Sequence, residues 1–278
     1  MSETLSRPLE GEFRTPRNAF QQSAGSIHND EVASKLGFKG GTVPGSVHMD
    51  QFVPMLLDLY GTRWFETGDI SLYFTQATVD AERVRATVTP GATRARLAMF
   101  NEADALICRG TASAHAPDSL SELSQVLGQQ GAVDPAELRI LGQYRVGDEL
   151  TGIPVRLEID KLHDGLKRIT EPHPLYAEQH ILPPSHLISL SHQVRPRVLE
   201  KVGKSVGLFG ALEARQYAGP LHAGVDYLAR TKMLKFTQSP KAEGVWYDVV
   251  ISDPATDRDL ACVQYFLRFM KASSALYA

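Results

Sequence analysis

Hydrophobic side chains first fall into a helical rhythm at Val32, Ala33, Leu36 and Phe38, directly after the polar and acidic triplet Asn29-Asp30-Glu31. Residues of that kind accept the free N–H groups of a first helical turn and favour its positive end, and Gly37 with Gly40-Gly41 supplies the stop. A longer apolar run covers residues 46–60, where Val47, Phe52, Val53, Met55, Leu56, Leu57 and Leu59 leave too little polar circumference for a surface helix. The spacing predicts a buried central helix wrapped by a sheet, with Pro54 either kinking it or marking a later start. Strand-like patterns follow at 69–79, 83–89 and 95–114, the last folding into a hairpin about Asn101-Glu102-Ala103-Asp104.

Residues 116–147 then turn polar, with Ser119, Ser121, Gly128, Gln129, Gln130, Gly131 and Pro135, and read as a linker that carries at most a short helix. Beyond it the plan recurs. Residues 150–159 pattern as a strand and 185–202 as a helix carrying Leu187, Ile188, Leu190, Val194 and Leu199. Residues 205–236 are strand-rich, and two last strands, 245–252 and 260–269, flank the turn Asp253-Pro254-Ala255-Thr256. The closing strand holds Leu106-Ile107-Cys108 in one half and Leu260-Ala261-Cys262 in the other, which predicts an internal repeat. The expected division is a first domain over 1–117, a linker over 118–147 and a second domain over 148–278.

A length of 278 residues suits two such units, each large enough for its own core. The net charge of −3 comes with scattered Lys and Arg, so a nucleic-acid partner is not expected. The strongest apolar stretch, Phe52 to Tyr60, is broken by Pro54 and Asp58 and falls short of the ~18–20 residues of a membrane span. Met1-Ser2-Glu3-Thr4-Leu5-Ser6-Arg7-Pro8 has no apolar centre for an export signal, and a soluble, cytoplasmic protein is expected. Cys108 and Cys262 lack the paired Cys or His spacing of a metal site, and no Gly-rich phosphate loop is visible, so neither a metal nor a nucleotide cofactor is expected.

The segment from Ser26 to Gly45 resembles the signature of the MaoC-like hydratase family, in which Asp-x-Asn-Pro-x-His precedes a short helix, a Gly-Phe turn and a Val-His-Gly entry into a central helix. The resemblance covers the first ~115 residues by motif and the rest by architecture. It implies an α+β protein of two tandem hot-dog domains, each an antiparallel sheet round a central helix, joined as a pseudo-dimer, with association into a true homodimer permitted. It further implies a hydratase or dehydratase, a carbon–oxygen lyase acting on a 2-enoyl or 3-hydroxyacyl thioester. The substrate is then a small acyl molecule whose CoA or carrier protein is part of the substrate and not a cofactor.

His28 matches the family histidine, whereas Ser23 stands at the family Asp and Gly25 at the family Asn. The resemblance therefore assigns proton transfer to His28, with a water or Ser23 in place of the acid. Gly45, with Ser46 after it, matches the glycine whose N–H forms the family's oxyanion hole, and Pro44 replaces the usual His before it. In the second half Glu171-Pro172-His173-Pro174-Leu175-Tyr176 lines up in the same register, keeping an acid at Glu171 while placing His173 and Tyr176 at the Asn and His positions. Ser185 there stands at the glycine position. Glu171, His173 and Tyr176 form the alternative second-half site. His48 and His192 read as packing or capping residues, and Asp30 as a helix cap.

Three functions stay open at this point: the hydratase or dehydratase; an isomerase or cyclase needing only a pocket and one proton shuttle; and a non-catalytic acyl-ligand-binding protein. A cleft closed by bulky side chains favours the last, and an open one ending at His28 argues against it.

Overall fold

The structure, a computed structural model, describes residues 7–23, 25–116 and 118–278. Residues 1–6, on which most of the export reading falls, and Pro117, the expected end of the first domain, lie outside them. The first half runs β1 (Leu9–Glu10), α1 (Asp30–Lys35), α2 (Gly45–Asp50), α3 (Val53–Tyr60) and α4 (Trp64–Thr67), then β2 (Asp69–Phe74), β3 (Val84–Thr89), β4 (Ala95–Asn101) and β5 (Leu106–Ser113). After α5 (Glu122–Gln129), the second half opens with β6 (Glu149–Val155), α6 (Ile159–Leu166), α7 (Pro174–Glu178), α8 (Pro184–His192) and α9 (Arg195–Val198). It closes with β7 (Gly207–Gln216), β8 (Tyr227–Gln238), β9 (Ala242–Ser252) and β10 (Asp259–Met270).

These strands form one antiparallel sheet of ten, in the order β1-β3-β4-β5-β2-β7-β10-β9-β8-β6. Read outward from the middle, β2, β5, β4, β3 and β1 on one side mirror β7, β10, β9, β8 and β6 on the other. The repeat seen in the sequence is thus the symmetry of the sheet, and the fold is a double hot dog. On the inner face Met49, Phe52, Val53 and Leu56 of the first central helices share one core with Leu187, Ile188 and Leu190 of α8 and with Ile70, Leu72, Leu212 and Tyr265 from the strands. Each such side chain, fully buried, contributes roughly 1.5–3 kcal/mol.

Several expected elements are cut differently. Residues 46–60 form two helices, because Pro54 occupies the first turn of α3, where its missing N–H removes no helical bond. Residues 185–202 divide in the same way at Pro196 in the first turn of α9. The strand expected over 69–79 stops at Phe74, since Thr75 and Gln76 both turn their N–H groups to the Ile107 carbonyl, at 2.9 and 3.2 Å. The strand expected over 150–159 ends at Val155, and Ile159 opens α6. Residues 205–236 resolve into β7 and the greater part of β8, while the hairpin about residues 101–104 forms as expected.

The 118–147 segment is more than a tether. Its helix α5 lays Leu123 and Val126 on Ala211, Trp246 and Phe266 of the outer sheet face. Further along, the fully buried Glu243 carboxylate accepts the N–H groups of Arg139, Ile140 and Leu141 at 2.8, 3.1 and 2.9 Å.

Candidate active site

A break in strand pairing opens the site. Strands β2 and β7 join the two halves over Asp69 to Tyr73 and Ala211 to Arg215. Past Tyr73 they part, and Phe74 to Thr78 on one bank and Gly207 to Phe209 on the other border a cleft of about 1110 Å³. Residues 26–28, Pro44, Gly45 and Ser46 line it from the first half, and Ile188, Ser189, His192 and Arg195 from α8 and α9. The cleft is therefore composite, with motif residues of one half facing helix residues of the other.

His28 is held by a short strap. Asn29 caps α1 by accepting from Glu31 and Val32, and Asp30 accepts the Gly41 N–H at 2.7 Å, so the expected capping task falls to Asn29 and Asp30 ties down the return loop. Thr42 donates its N–H to the Ile27 carbonyl, and Asn18 donates Nδ2–H to the carbonyl of His28 at 2.7 Å. Gly41 is required here, because a Cβ would stand 2.1 Å from the His28 carbonyl oxygen. The imidazole Nδ1 lies 2.7 Å from the Thr42 carbonyl, and since a carbonyl only accepts, Nδ1 carries the proton and Nε2 the lone pair. Burial lowers the His28 pKa below its ordinary value, against the opposing pull of the Thr42 carbonyl, and keeps the ring neutral at pH 7.

At the entry to α2, the N–H groups of Gly45 and Ser46 find no acceptor among the described residues. Gly45 also lets the aromatic wall come close, as a Cβ there would meet the Phe74 ring at 2.7 Å. Ser23, by contrast, is not among the residues that line the cleft; its N–H donates to the Phe20 carbonyl and its own carbonyl accepts the Ser26 N–H. Tyr73 and Phe74 supply cleft surface, Tyr60 and Trp64 do not, and no Asp or Glu lines the cleft among the described residues. His48 and His192 both border it, each pushed down to about 4 by burial, and His48 is tied to the Thr78 hydroxyl at 2.8 Å.

The second-half motif meets a different fate, and none of its residues borders the cleft. Glu171 is ion-paired with Arg14 of the first half. His173 caps α7, its Nδ1 accepting the Leu175 N–H at 3.3 Å, and Tyr176 is buried beside Phe65 with no partner for its hydroxyl among the described residues. The Ser185 N–H, at the position matching the oxyanion donor, is already taken by the Asp50 carboxylate at 2.9 Å. Burial raises the Asp50 pKa to about 7, with the Ser185 hydrogen bond pulling the other way. An acidic side chain thus fills the place that a substrate oxygen would need.

The residues that sequence reasoning did not reach are the cleft's cations, Arg195, Lys241 and Arg268, all from the second half. The spacing of Ile188, His192 and Arg195, one face of a continuing helical path, is the only signal that could have grouped one of them with the site.

Comparison with solved structures bears on the fold. The chain is similar to a putative MaoC domain dehydratase from Chloroflexus aurantiacus, with a TM-score of 0.66 and 13% identity over 96% of this chain and 95% of that one. A Mycobacterium tuberculosis protein described as having a double hot-dog fold matches at a TM-score of 0.59 and 14% identity, covering 96% and 97% of the two chains. A MaoC-like dehydratase matches at 0.56 and 12%, covering 96% and 99%. No family model matches the sequence, and no curated protein matches it. These likenesses establish the double hot-dog fold. Among the described residues no helix is long and apolar enough to cross a membrane, and no group of three or more His, Cys, Asp or Glu residues could hold a metal ion.

Proposed function

We propose that the chain is a hydratase or dehydratase acting on a 2-enoyl or 3-hydroxyacyl thioester, bound through CoA or a carrier protein, in the cleft of its first half. The observation that carries this reading is His28: a neutral imidazole with Nδ1 committed to the Thr42 carbonyl, lining an open cleft beside the unpaired N–H groups at the entry to α2. In hydration, Nε2 takes a proton from water as its oxygen adds to C3 of the enoyl group, and negative charge gathers on the thioester oxygen. The Gly45 and Ser46 amides are the donors available to that oxygen. The proton on Nε2 then passes to C2, so one imidazole closes the cycle, and dehydration is the reverse. Ser23 stands off the cleft lining, and this cycle asks nothing of it.

Turnover of crotonyl-CoA and longer enoyl-CoAs by the purified protein tests the reading. We expect His28→Ala to lower kcat on the order of 10²–10⁴-fold and Ser23→Ala to stay within about twofold. A rate untouched by His28→Ala removes the assignment. The lack of any carboxylate among the described residues that line the cleft favours one second reading, an isomerisation in which His28 moves a proton between two carbons. Mass spectrometry of the product separates the two, since hydration adds one water and isomerisation adds nothing.

A further inference from the structure

Arg195 is a cation that this chemistry leaves unused. It opens α9, stands half-buried, and brings Nη2 within 3.5 Å of where a Gly207 Cβ would lie. Its Nε is closed off from solvent and meets no acceptor among the described residues. The two arginines that are buried outright each have an acid: Arg94 pairs with Asp69 and Arg215 with Glu213. Arg195 has none, and no carboxylate lines its cleft, among the described residues. An arginine Nε withdrawn from water with its N–H unfilled is costly, and a ligand oxyanion is the group that matches the planar fork it belongs to.

The other two cations of the cleft sit differently. Arg268 donates to the Tyr73 hydroxyl at 2.6 Å and stacks on the Tyr73 and Phe266 rings, and Lys241 is exposed in the turn between β8 and β9. Arg195 faces the inner aromatic layer instead. Its charge adds to burial in holding down the His192 pKa and acts on the buried Tyr247 hydroxyl, beside the stacked rings of His192, Tyr265 and Tyr247. A phosphate of the thioester's CoA or carrier has the exposed Lys241 available, which leaves the Arg195 guanidinium, set against the buried aromatic rings, for a different anion.

We propose that the substrate's acyl chain ends in an anionic group of its own, a carboxylate, and that Arg195 binds it. The inference rests on the thioester reading above and narrows it to acidic acyl chains. Calorimetric titration with non-reacting saturated thioesters tests it, using butyryl- against glutaryl-CoA, hexanoyl- against adipyl-CoA and octanoyl- against suberyl-CoA. In the wild-type protein at least one diacid thioester is expected to bind about tenfold or more tighter than its monoacid partner. Arg195→Gln is expected to bring that preference within about twofold, Arg195→Lys to keep part of it, and the matching pantetheine thioesters, which lack the CoA phosphates, to preserve it.

No preference at any chain length in the wild type would overturn the proposal without reference to any variant. So would an Arg195→Gln loss shared equally by both members of each pair and absent with pantetheine thioesters, which would assign the guanidinium to phosphate. Failure of every CoA thioester to bind, monoacid and diacid alike, would instead overturn the thioester reading itself.

Discussion

At the scale of single residues, the candidate site turns on which groups already have partners. His28 keeps Nε2 free because Nδ1 is spent on Thr42. The base form is the neutral ring, and burial lowers its pKa, so activity is lost with acid only as the pH falls through a value below the ordinary 6.5. We expect the acidic limb of kcat/KM against pH below 6.5, and a limb above that value would show another group in control. Tyr176 tests the opposite case. Its buried hydroxyl has no partner among the described residues, so Tyr176→Phe is expected to leave turnover within about twofold and stability unchanged or raised by up to ~1 kcal/mol, as followed by urea denaturation.

Local letters made His28 legible, since its place in the motif and its place in the cleft agree. Glu171 and His173 lie away from that cleft, on partners the letters do not show. Arg14, which takes the former, lies 157 residues away in sequence, and the Leu175 N–H that takes the latter is claimed only once α7 forms. Arg195 stayed hidden for a related reason: its significance is an absent acid, and an absence in space leaves no mark in a linear pattern.

At the scale of elements, two tie points hold the site's framework. The strap between α1 and α2 has no room for a side chain at Gly41. Gly41→Ala is expected to cost roughly 1–3 kcal/mol and to lower activity beyond what stability explains, because the atom it strikes is the backbone carbonyl of His28. Activity measured well below the melting temperature, compared with a melting curve, checks both parts. On the far side Glu243 anchors the segment after α5. Glu243→Ala leaves three N–H groups without their acceptor, and we expect about 3 kcal/mol or more of lost stability in urea denaturation.

The sequence pattern located both central helices but not their division, since an apolar run looks the same whether or not a proline restarts it. It passed over α6 because Ile159, Leu162 and Leu166, although spaced for a helix, follow without a break on an apolar strand. The hairpins were legible, their turns being marked by Asn, Asp and Pro.

At the scale of the molecule, the two halves are alike in fold and unlike in state. The cleft is open on the first half's motif, and on the second Asp50 occupies the matching amide. Calorimetry is therefore expected to return one thioester per chain, and a stoichiometry of two would contradict the asymmetry. Asp50 also marks the pH dependence of stability. Its pKa rises from 3.8 unfolded to about 7 folded, so the folded chain holds a proton that the unfolded chain releases, and stability contributed by this group is lost as the pH climbs from about 4 through 7. Asp50→Asn keeps an oxygen for the Ser185 N–H and does not ionise, and we expect its stability relative to wild type to improve by about 2 kcal/mol or more between pH 5 and pH 8. Nothing in the sequence announced the seam of β2 with β7 that organises all of this, because its register partners Asp69 and Arg215 are joined only by the fold.

That seam has an evolutionary corollary. Where a symmetric assembly is built from identical subunits, every change in the gene strikes all of its sites together, so an acid that blocks one pocket blocks them all. Joining the copies in a single polypeptide removes the coupling: Asp50 can stopper one pocket while the position that matches it when Gly45 is set on Ser185, Leu190, carries no acid and leaves the other open to be reshaped for a new ligand.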